Sequence, residues 1–436
     1  MSRHVDLAIH AQWVVPIEPA GALVDHVVLV DGDAIVAVVP QAVAASDYLP
    51  HEAVTLARHA LLPGLVNAHC HTAMTLLRGI ADDVPLGTWL EQHIWPREGK
   101  FVSAEFVYDG VTLGAAEMLR GGITCCNDMY FYPEAAARAY QAAGMRAVLG
   151  LPILDFPTPY ASDADGYLQA GLAARDAFKH APRLSFMLAP HAPYTVGDAT
   201  FEKIVTYAHQ LDLPIQTHLH ETRREVDEAI AATGVSPLVR LDRLGVTGPS
   251  FVAVHAVHLG PGDIEVLARQ RCHVVHCPTS NLKLASGIAP IAELLANGVG
   301  VALGTDGAAS NNRQDIVAEM RLAALLAKVR AEDAAVVPAQ QALEMATLGG
   351  ARTLGLGDCI GSIVPGKQAD LVAIDLGQLD DAPLYDPISH LVHVAARERV
   401  TDAWVAGERV LRDRKLSMLD EAALLARARL WQQKLA

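Results

Sequence analysis

The chain has 436 residues, of which 51% are hydrophobic and 19% are charged, as is typical of a globular enzyme with a large core. A net charge of −15 without any basic run excludes a nucleic-acid-binding surface, which needs clustered Lys and Arg. No leader peptide and no apolar stretch of about eighteen residues is found, so we expect a soluble, cytoplasmic protein. Six cysteines without a C-x-x-C spacing predict reduced, mostly buried thiols.

The first sixty residues alternate short β-like runs with turns. The runs cover residues 7–9, 13–15, 26–30 and 34–39. Asp31-Gly32-Asp33 stands between the last two runs, and Asp-Gly between apolar runs predicts a β-hairpin. We therefore expect the chain to begin with strands that pair locally.

The middle of the chain alternates short apolar runs with longer helical patterns, which indicates repeated βα units around a parallel sheet. Apolar residues at three-to-four spacing predict helices over residues 106–119 and 315–329. Eight such units over about 300 residues predict an α/β fold of the (β/α)₈ barrel type. The eight predicted strands cover residues 61–71, 122–128, 146–152, 184–191, 213–220, 251–258, 273–278 and 299–306.

The last part of the chain again has β-like runs, at residues 361–363, 370–374 and 400–411, with a turn at Ala406-Gly407-Glu408. Two β-rich segments therefore flank the predicted barrel. Because the carboxyl ends of barrel strands meet at one face, polar residues at those ends are candidates for chemistry. Nearly every predicted strand carries one, namely His69, His71, Asp128, His191, His218, His255, His276 and Asp306.

Four of these residues form a candidate metal site. His69 and His71 are two positions apart, which places both imidazoles on one side of a strand. Such a pair is common by chance, but His218 lies near the end of the fifth predicted strand and Asp306 ends the eighth. Three imidazoles and one carboxylate suit a borderline divalent cation, with room for a water. We expect one ion, zinc, with iron or manganese as alternatives.

A metal-activated water needs a proton carrier beside it. Glu221 follows His218 by three residues and is the candidate carrier, and His255 is the candidate to orient the water or stabilise developing negative charge. The alternatives are a solvated acid at the start of a helix for Glu221 and a structural histidine for His255. The fourth predicted strand contains no lysine, which favours one metal over a bridged pair.

Residues 63–71, reading PGLVNAHCH, and residues 361–372, reading GSIVPGKQADLV, together with His218 and Asp306, resemble the amidohydrolase superfamily. The resemblance spans essentially the whole chain. It implies a barrel with a small β-sandwich assembled from both ends of the chain. We accordingly predict that residues 1–60 and 358–436 form the sandwich and a terminal helix, and that residues 61–357 form the barrel.

Within that superfamily, residues 82–98, 191–195 and 276–281 resemble the 5-methylthioadenosine/S-adenosylhomocysteine deaminases. The resemblance implies hydrolytic deamination at C6 of an adenosine-type nucleoside, with Glu221 giving a proton to N1 and Asp306 accepting one from the attacking water. Glu98 would bind the ribose hydroxyls, Trp89 would pack on the nucleoside and His191 would contact it. Ordinary structural roles are the alternative for each of the last three residues.

The sequence leaves several candidate substrates. Some members of that family bind the amino-acid carboxylate of the substrate through arginines after the third strand, but residues 151–172 contain none. Methylthioadenosine, S-adenosylhomocysteine and adenosine all remain candidate substrates. A deaminase or chlorohydrolase of a free base or triazine ring, similar to guanine deaminase, is the main alternative, and an inactive scaffold barrel is a remote one. We expect a small-molecule nucleoside as the binding partner, no nucleic acid and no membrane, with a homo-oligomer as one assembly open to the chain.

Overall fold

Strands from both ends of the chain join in one eight-stranded sheet of a computed structural model, which describes residues 2–436. The order in this terminal sheet is β17-β16-β15-β14-β4-β1-β2-β3. Its strands are β1 Arg3–Val14, β2 Leu23–Asp31, β3 Ala34–Pro40, β4 Tyr48–Pro63, β14 Leu371–Asp375, β15 Val400–Val405, β16 Glu408–Arg412 and β17 Lys415–Leu416. The predicted hairpin is confirmed, since β2 and β3 pair antiparallel on either side of Gly32.

The remaining strands form a parallel sheet in the order β12-β11-β10-β9-β8-β7-β6-β5-β13. They are β5 Leu65–His71, β6 Ile123–Met129, β7 Arg146–Ile153, β8 Leu184–Pro190, β9 Ile215–Leu219, β10 Phe251–His255, β11 His273–His276, β12 Gly300–Leu303 and β13 Asp306–Gly307. Every residue of β6 and β7 is buried, as expected where helices cover a parallel sheet.

The eighth strand of the barrel is split into two pieces. Its first piece, β12, pairs with β11, and its second piece, β13, pairs with β5. The sheet therefore closes on itself across the two residues between Leu303 and Asp306. The predicted (β/α)₈ barrel with strands from both chain ends in a separate sheet is confirmed.

Helices separate consecutive barrel strands, and polar caps begin many of them, as at α4, where the Ser103 hydroxyl accepts the Phe106 N–H. The two predicted helices correspond to α4 and α14. The helices are α1 Gln41–Asp47, α2 Leu86–Thr88, α3 Trp95–Phe101, α4 Ala104–Arg120, α5 Pro133–Ala143, α6 Ala164–Phe178, α7 Asp198–Leu211, α8 Arg223–Thr233, α9 Pro237–Arg243, α10 Pro261–Arg269, α11 Pro278–Lys283, α12 Ile291–Ala296, α13 Ala308–Asn311, α14 Ile316–Ala331, α15 Ala339–Met345, α16 Leu348–Thr353, α17 Pro387–His393 and α18 Glu421–Leu435.

Short helices of other types complete the chain: 3₁₀ turns at Thr72–Leu77, Leu379–Asp381 and Arg397–Arg399, and a π-helical segment at Trp89–Ile94. The largest apolar core joins the barrel strands to the helices around them. A separate core lies within the terminal sheet. Among residues 2–436 no helix combines the length and apolarity needed to cross a membrane.

One predicted strand is absent from the structure. Residues 361–363 are not a strand, because Gly361 has a left-handed φ of +89° and the Ile363 N–H donates instead to the Pro16 carbonyl. The thiols fit the prediction, since all six cysteines are free and only Cys359 is partly exposed. The domain bounds at residues 60 and 357 stay a prediction, and β4 runs across the first of them.

Candidate active site

Four predicted metal ligands converge at the carboxyl ends of the barrel strands. His69 and His71 lie on β5, His218 lies on β9, and Asp306 begins β13. Asp306 Oδ1 is 3.2 Å from His71 Nε2 and 3.7 Å from His69 Nε2. The Nε2 atoms of His69 and His218 are 3.2 Å apart. Nε2 of His69 is therefore close to both Asp306 Oδ1 and His218 Nε2, and the four side chains form one cluster.

The other ring nitrogen of each histidine is bound elsewhere. Nδ1 of His71 is 2.6 Å from the Met129 carbonyl, and Nδ1 of His218 is 2.8 Å from the His191 carbonyl. Nδ1 of His69 is 3.4 Å from Gln216 Oε1. Such partners fix the ring and leave Nε2 as the coordinating atom. The donor set thus fits a divalent cation, and the cluster of His69, His71 and Asp306 is a metal-binding group.

Two serines orient Asp306. The hydroxyls of Ser280 and Ser310 donate to its Oδ2 at 2.6 and 2.8 Å, which turns Oδ1 toward the histidines. Asp306 has a left-handed φ of +61°, a conformation that non-glycine residues adopt at an energetic cost, often at functional sites. Sequence reasoning missed both serines, although Ser310 follows Asp306 by four residues and Ser280 lies in the 276–281 motif.

The charges of the cluster are strongly coupled. Burial lowers the pKa of His69 to about 4 and that of His218 well below its usual value. Burial is the largest influence on the pKa of His71 and acts to lower it, but the hydrogen bond and charge of Asp306, the Met129 carbonyl and the charge of Asp128 together raise it to about 9. A coordinating imidazole must be neutral, so cation binding releases a proton from His71.

Glu221 and His255 stand beside this cluster. Glu221 follows β9 and is buried, and burial raises its pKa to about 8, with the nearby Asp306 adding to the shift. Its Oε2 lies 3.8 Å from Nε2 of His255. The carboxyl group is therefore protonated at neutral pH and can give up a proton.

His255 ends β10 with a left-handed φ of +75°. Its Nδ1 lies 3.0 Å from the Asn281 amide nitrogen, and burial lowers its pKa to about 4. With Asn281 donating to Nδ1, the neutral ring carries its proton on Nε2, which faces Glu221. His255, His69 and His218 also lie close enough together to bind one metal ion. Because the proton on Nε2 prevents that nitrogen of His255 from coordinating, this tautomer favours Asp306 as the fourth ligand.

All three predicted substrate contacts line the same pocket as Glu221 and the cluster. Glu98 lies on α3, is 9% exposed, and accepts a 2.6 Å hydrogen bond from the Tyr130 hydroxyl. Burial raises the pKa of Glu98, and the Tyr130 bond acts against that shift. Trp89 opens the π-helical segment, and its buried indole N–H has no protein acceptor.

His191 lies directly after β8. Its Nδ1 is 2.9 Å from the Thr195 hydroxyl, and burial lowers its pKa to about 4. The ring is therefore neutral, and its other nitrogen is available to a bound molecule. The structure thus places every predicted site residue in the lining of one pocket except His69, which is fully buried beside it.

The outer part of the pocket is apolar, and sequence reasoning did not find it. No Lys or Arg within residues 2–436 lines the pocket. Arg146, the cation nearest in sequence to the third-strand loop, instead pairs with Asp370 and points away. Aromatic side chains supply much of the lining: Trp89, Trp95, Tyr130, Phe131, Phe156 and Tyr194.

Several known proteins are similar to this chain over most of its length. A model of the Amidohydrolase family matches residues 60–410. A 5-methylthioadenosine/S-adenosylhomocysteine deaminase of Teredinibacter turnerae is 47% identical, over 99% of this chain and 98% of the relative. A 5'-deoxyadenosine deaminase of Methanothermobacter thermautotrophicus is 43% identical, over 83% and 84%. The crystal structure of an adenosine deaminase from Xanthomonas campestris with bound zinc is 50% identical, covers 100% of this chain and 99% of that one, and has a TM-score of 0.99.

Proposed function

Since the chain belongs to the amidohydrolase family, we propose that it hydrolytically deaminates an adenosine-type nucleoside at C6 and releases ammonia. One observation carries the proposal: the buried carboxylate of Glu98 lies in the same pocket as the metal-ligand cluster and Glu221. A ribose needs such a hydroxyl-binding group, whereas a free base does not. The names of the three relatives described above, each a nucleoside deaminase, point the same way.

One divalent cation, zinc, is the proposed cofactor. His69, His71, His218 and Asp306 would hold it, because their coordinating atoms cluster together while Nδ1 of each histidine and Oδ2 of Asp306 are engaged elsewhere. A 50% identical structure contains zinc, and β8 offers no lysine to bridge a second ion. When bound, such a cation lowers the pKa of its water from 15.7 to about 7.

Asp306 of this cluster and Glu221 beside it would each carry one of the proton transfers, and His255 would stabilise charge. Asp306 would accept the proton of the attacking water, and its two serine partners hold it ready. Glu221, protonated at neutral pH, would donate to N1 of the adenine ring, which makes C6 more electrophilic. His255 would stabilise the negative charge that develops on the attacking oxygen through its Nε2–H.

The rest of the substrate would fill the outer pocket. Glu98 would bind the ribose hydroxyls, His191 would contact the nucleoside, and Trp89 would pack on it and offer its free N–H. The 5'-substituent then meets an apolar region without a cation. We therefore propose that methylthioadenosine, whose 5'-substituent is uncharged, is preferred over S-adenosylhomocysteine, whose carboxylate would lack a partner.

Two alternatives share parts of this site. A deaminase or chlorohydrolase of a free base or triazine would use the same ligands and Glu221, but it would leave Glu98 without a role. An inactive scaffold would not need a buried, protonated Glu221 beside four convergent ligands. Assembly into a homo-oligomer stays a prediction.

Ammonia release should be measured with methylthioadenosine, S-adenosylhomocysteine, adenosine and guanine, and chloride release with a chlorotriazine. We expect turnover of nucleosides, highest kcat/KM for methylthioadenosine, and little with guanine or the triazine. Turnover of the last two compounds alone would overturn the proposal. Bound zinc near one equivalent per chain should fall sharply in His69→Ala, and unchanged zinc would contradict the ligand set.

A further inference from the structure

We propose that Glu225 is a positioning residue that fixes the proton donor Glu221 through two backbone hydrogen bonds. This inference rests on the proposed function, since Glu221 is the group it positions. Glu225 does not line the pocket, so it acts through its neighbour. Its partners in this role are the backbone N–H groups of His220 and Glu221.

The turn after β9 has an unusual backbone. His220, between the end of β9 and Glu221, is buried and has a left-handed φ of +52°. A non-glycine residue pays an energetic cost for this conformation, which persists only where its surroundings enforce it. The same turn directs the following side chain, Glu221, into the pocket.

The Glu225 carboxylate spans this turn. Its Oε1 accepts the His220 N–H at 3.0 Å and its Oε2 accepts the Glu221 N–H at 2.8 Å. Thr222 caps α8 by accepting the Glu225 N–H at 3.2 Å. A capping box normally ties such a glutamate to the N-cap residue; here the carboxylate extends that motif to the two residues before the cap. Both oxygens of one side chain thus hold consecutive peptide groups.

Other contacts hold His220 from its remaining sides. Its carbonyl accepts the N–H groups of Val257 and His258 at 3.1 and 3.0 Å. Its Nε2 accepts the Leu238 N–H at 3.2 Å, and its Nδ1 lies 3.1 Å from the His258 carbonyl. The N–H side of the turn, in contrast, depends on Glu225.

Glu225 is half-buried, and a carboxylate removed from water is costly unless its oxygens receive hydrogen bonds. Burial raises the pKa of Glu225 to about 7, and its bonds to the two backbone N–H groups act against that shift. A glutamine at this position would keep one acceptor oxygen and turn an NH₂ group toward the other backbone N–H. Glu225→Gln therefore loosens the turn with little change in side-chain volume.

Kinetic measurements of Glu225→Gln test the role. Because small misplacements of a reacting group cost up to about 100-fold in rate, we expect kcat to fall at least about 10-fold, with KM and bound zinc close to wild type. In a Glu221→Gln background the same change should lower the residual rate by less than about 2-fold, since its target is gone. A kcat within about 2-fold of wild type, or an equal loss in both backgrounds, would overturn the inference.

Glu228→Gln is the matched control, since Glu228 lies one turn further along α8, is exposed, and pairs with Arg224. Its kcat should equal that of wild type. A loss of kcat as large as that of Glu225→Gln would mean that any charge removal on α8 lowers the rate, and not specifically the loss of the Glu225 hydrogen bonds. If Glu225→Gln does not fold, Glu225→Asp serves instead. It keeps the charge but withdraws the carboxylate by one methylene, so kcat should again fall, and a retained kcat contradicts the proposal.

A crystal structure of the variant separates this inference from the proposed function. We expect the Glu221 carboxylate to move by about 1 Å or more relative to wild type, or to become disordered. An unmoved carboxylate would overturn the positioning role whatever the substrate is. Absence of turnover by the wild-type protein with every nucleoside would instead contradict the proposed function alone.

Discussion

At the residue scale, the protonation state of Glu221 decides whether the proposed reaction runs. Burial raises its pKa to about 8, so the carboxyl group holds a proton below that pH and loses it above. A proton donor works only in its protonated form. We therefore expect kcat/KM with methylthioadenosine to fall as the pH rises through about 8, measured as ammonia release at substrate concentrations well below KM.

Glu221→Gln provides the control for this pH dependence. Loss of the proton donor should lower kcat about 10²- to 10⁴-fold at neutral pH, while bound zinc stays at the wild-type level. The residual activity of the variant should no longer fall as the pH rises through about 8. An identical alkaline decrease in the variant would assign the titration to another group.

Tyr130 supports the proposed ribose-binding carboxylate. Its hydroxyl donates to Glu98 at 2.6 Å and opposes the rise in the pKa of Glu98. Tyr130→Phe removes a hydrogen bond to a charged group, worth about 1.5 to 3 kcal/mol, so we expect KM for the nucleoside to rise roughly 10-fold. Michaelis parameters from ammonia release give the measurement.

Tyr132→Phe is the matched control for Tyr130→Phe. The Tyr132 hydroxyl donates to the Pro159 carbonyl, and Tyr132 is not among the pocket-lining residues. Its KM should equal that of wild type. An equal rise in both variants would attribute the effect to the loop rather than to Glu98.

Residues at strand ends were predictable from sequence because their position follows from barrel topology. His69, His71, His218 and Asp306 each lie at or near the end of a predicted strand, and the structure brings them together. Tyr130 and Ser280 were not assigned roles, because their bonds to Glu98 and Asp306 join segments separated by 32 and 26 residues. Such pairs depend on tertiary packing, which periodicity does not describe. The roles given to the site residues stay predictions.

At the element scale, regular patterns were more informative than short runs. Helices α4 and α14 and the eight barrel strands follow from their apolar spacing. The split of the last strand into β12 and β13 and the π-helical segment at Trp89–Ile94 had no periodic signal. Residues 361–363 were wrongly predicted as a strand because a three-residue segment with one large apolar side chain, Ile363, is too short to distinguish a strand from a loop.

Trp431 is the buried aromatic contact of helix α18 with α4, beside ion pairs of Arg427 with Glu105 and Asp109. Trp431 is 4% exposed, lies 5.2 Å from the Phe106 ring and donates its indole N–H to Asp109 at 2.7 Å. Trp431→Ala removes a buried aromatic group, at a cost of about 3 to 5 kcal/mol. We expect residues 421–435 to lose amide-exchange protection in that variant, measured by hydrogen exchange.

Leu430→Ala is the control for α18, since Leu430 is the preceding residue and is 50% exposed. Its exchange rates should match those of wild type. Equal deprotection in both variants would mean that helix propensity, rather than the Trp431 contact, holds α18 in place.

At the scale of the whole molecule, a buried ion pair joins the barrel to the segment that leads into the terminal sheet. Arg146 begins β7, and its guanidinium binds Asp370, directly before β14, at 2.9 and 3.0 Å. Both side chains are nearly inaccessible. Arg146→Leu leaves a buried carboxylate without its partner, so we expect a loss of about 3 to 5 kcal/mol in stability, measured by denaturant unfolding.

Arg412→Leu gives the comparison for Arg146→Leu. Arg412 pairs with Glu52 at 3.0 Å, but both side chains are more than half exposed. Exposed pairs contribute little, so the unfolding midpoint should not change. A loss in Arg412→Leu as large as that in Arg146→Leu would contradict burial as the cause.

The order of synthesis gives the terminal sheet a particular vulnerability. Strand β4 acquires its neighbour β14 only after some 300 further residues, which takes a ribosome on the order of 15 to 60 s at roughly 5 to 20 residues per second. Until then one edge of β4 is unpaired, and unpaired edges invite association with other chains. We therefore expect the yield of folded protein in a cell to depend more on chaperone supply than on the stability of the finished fold.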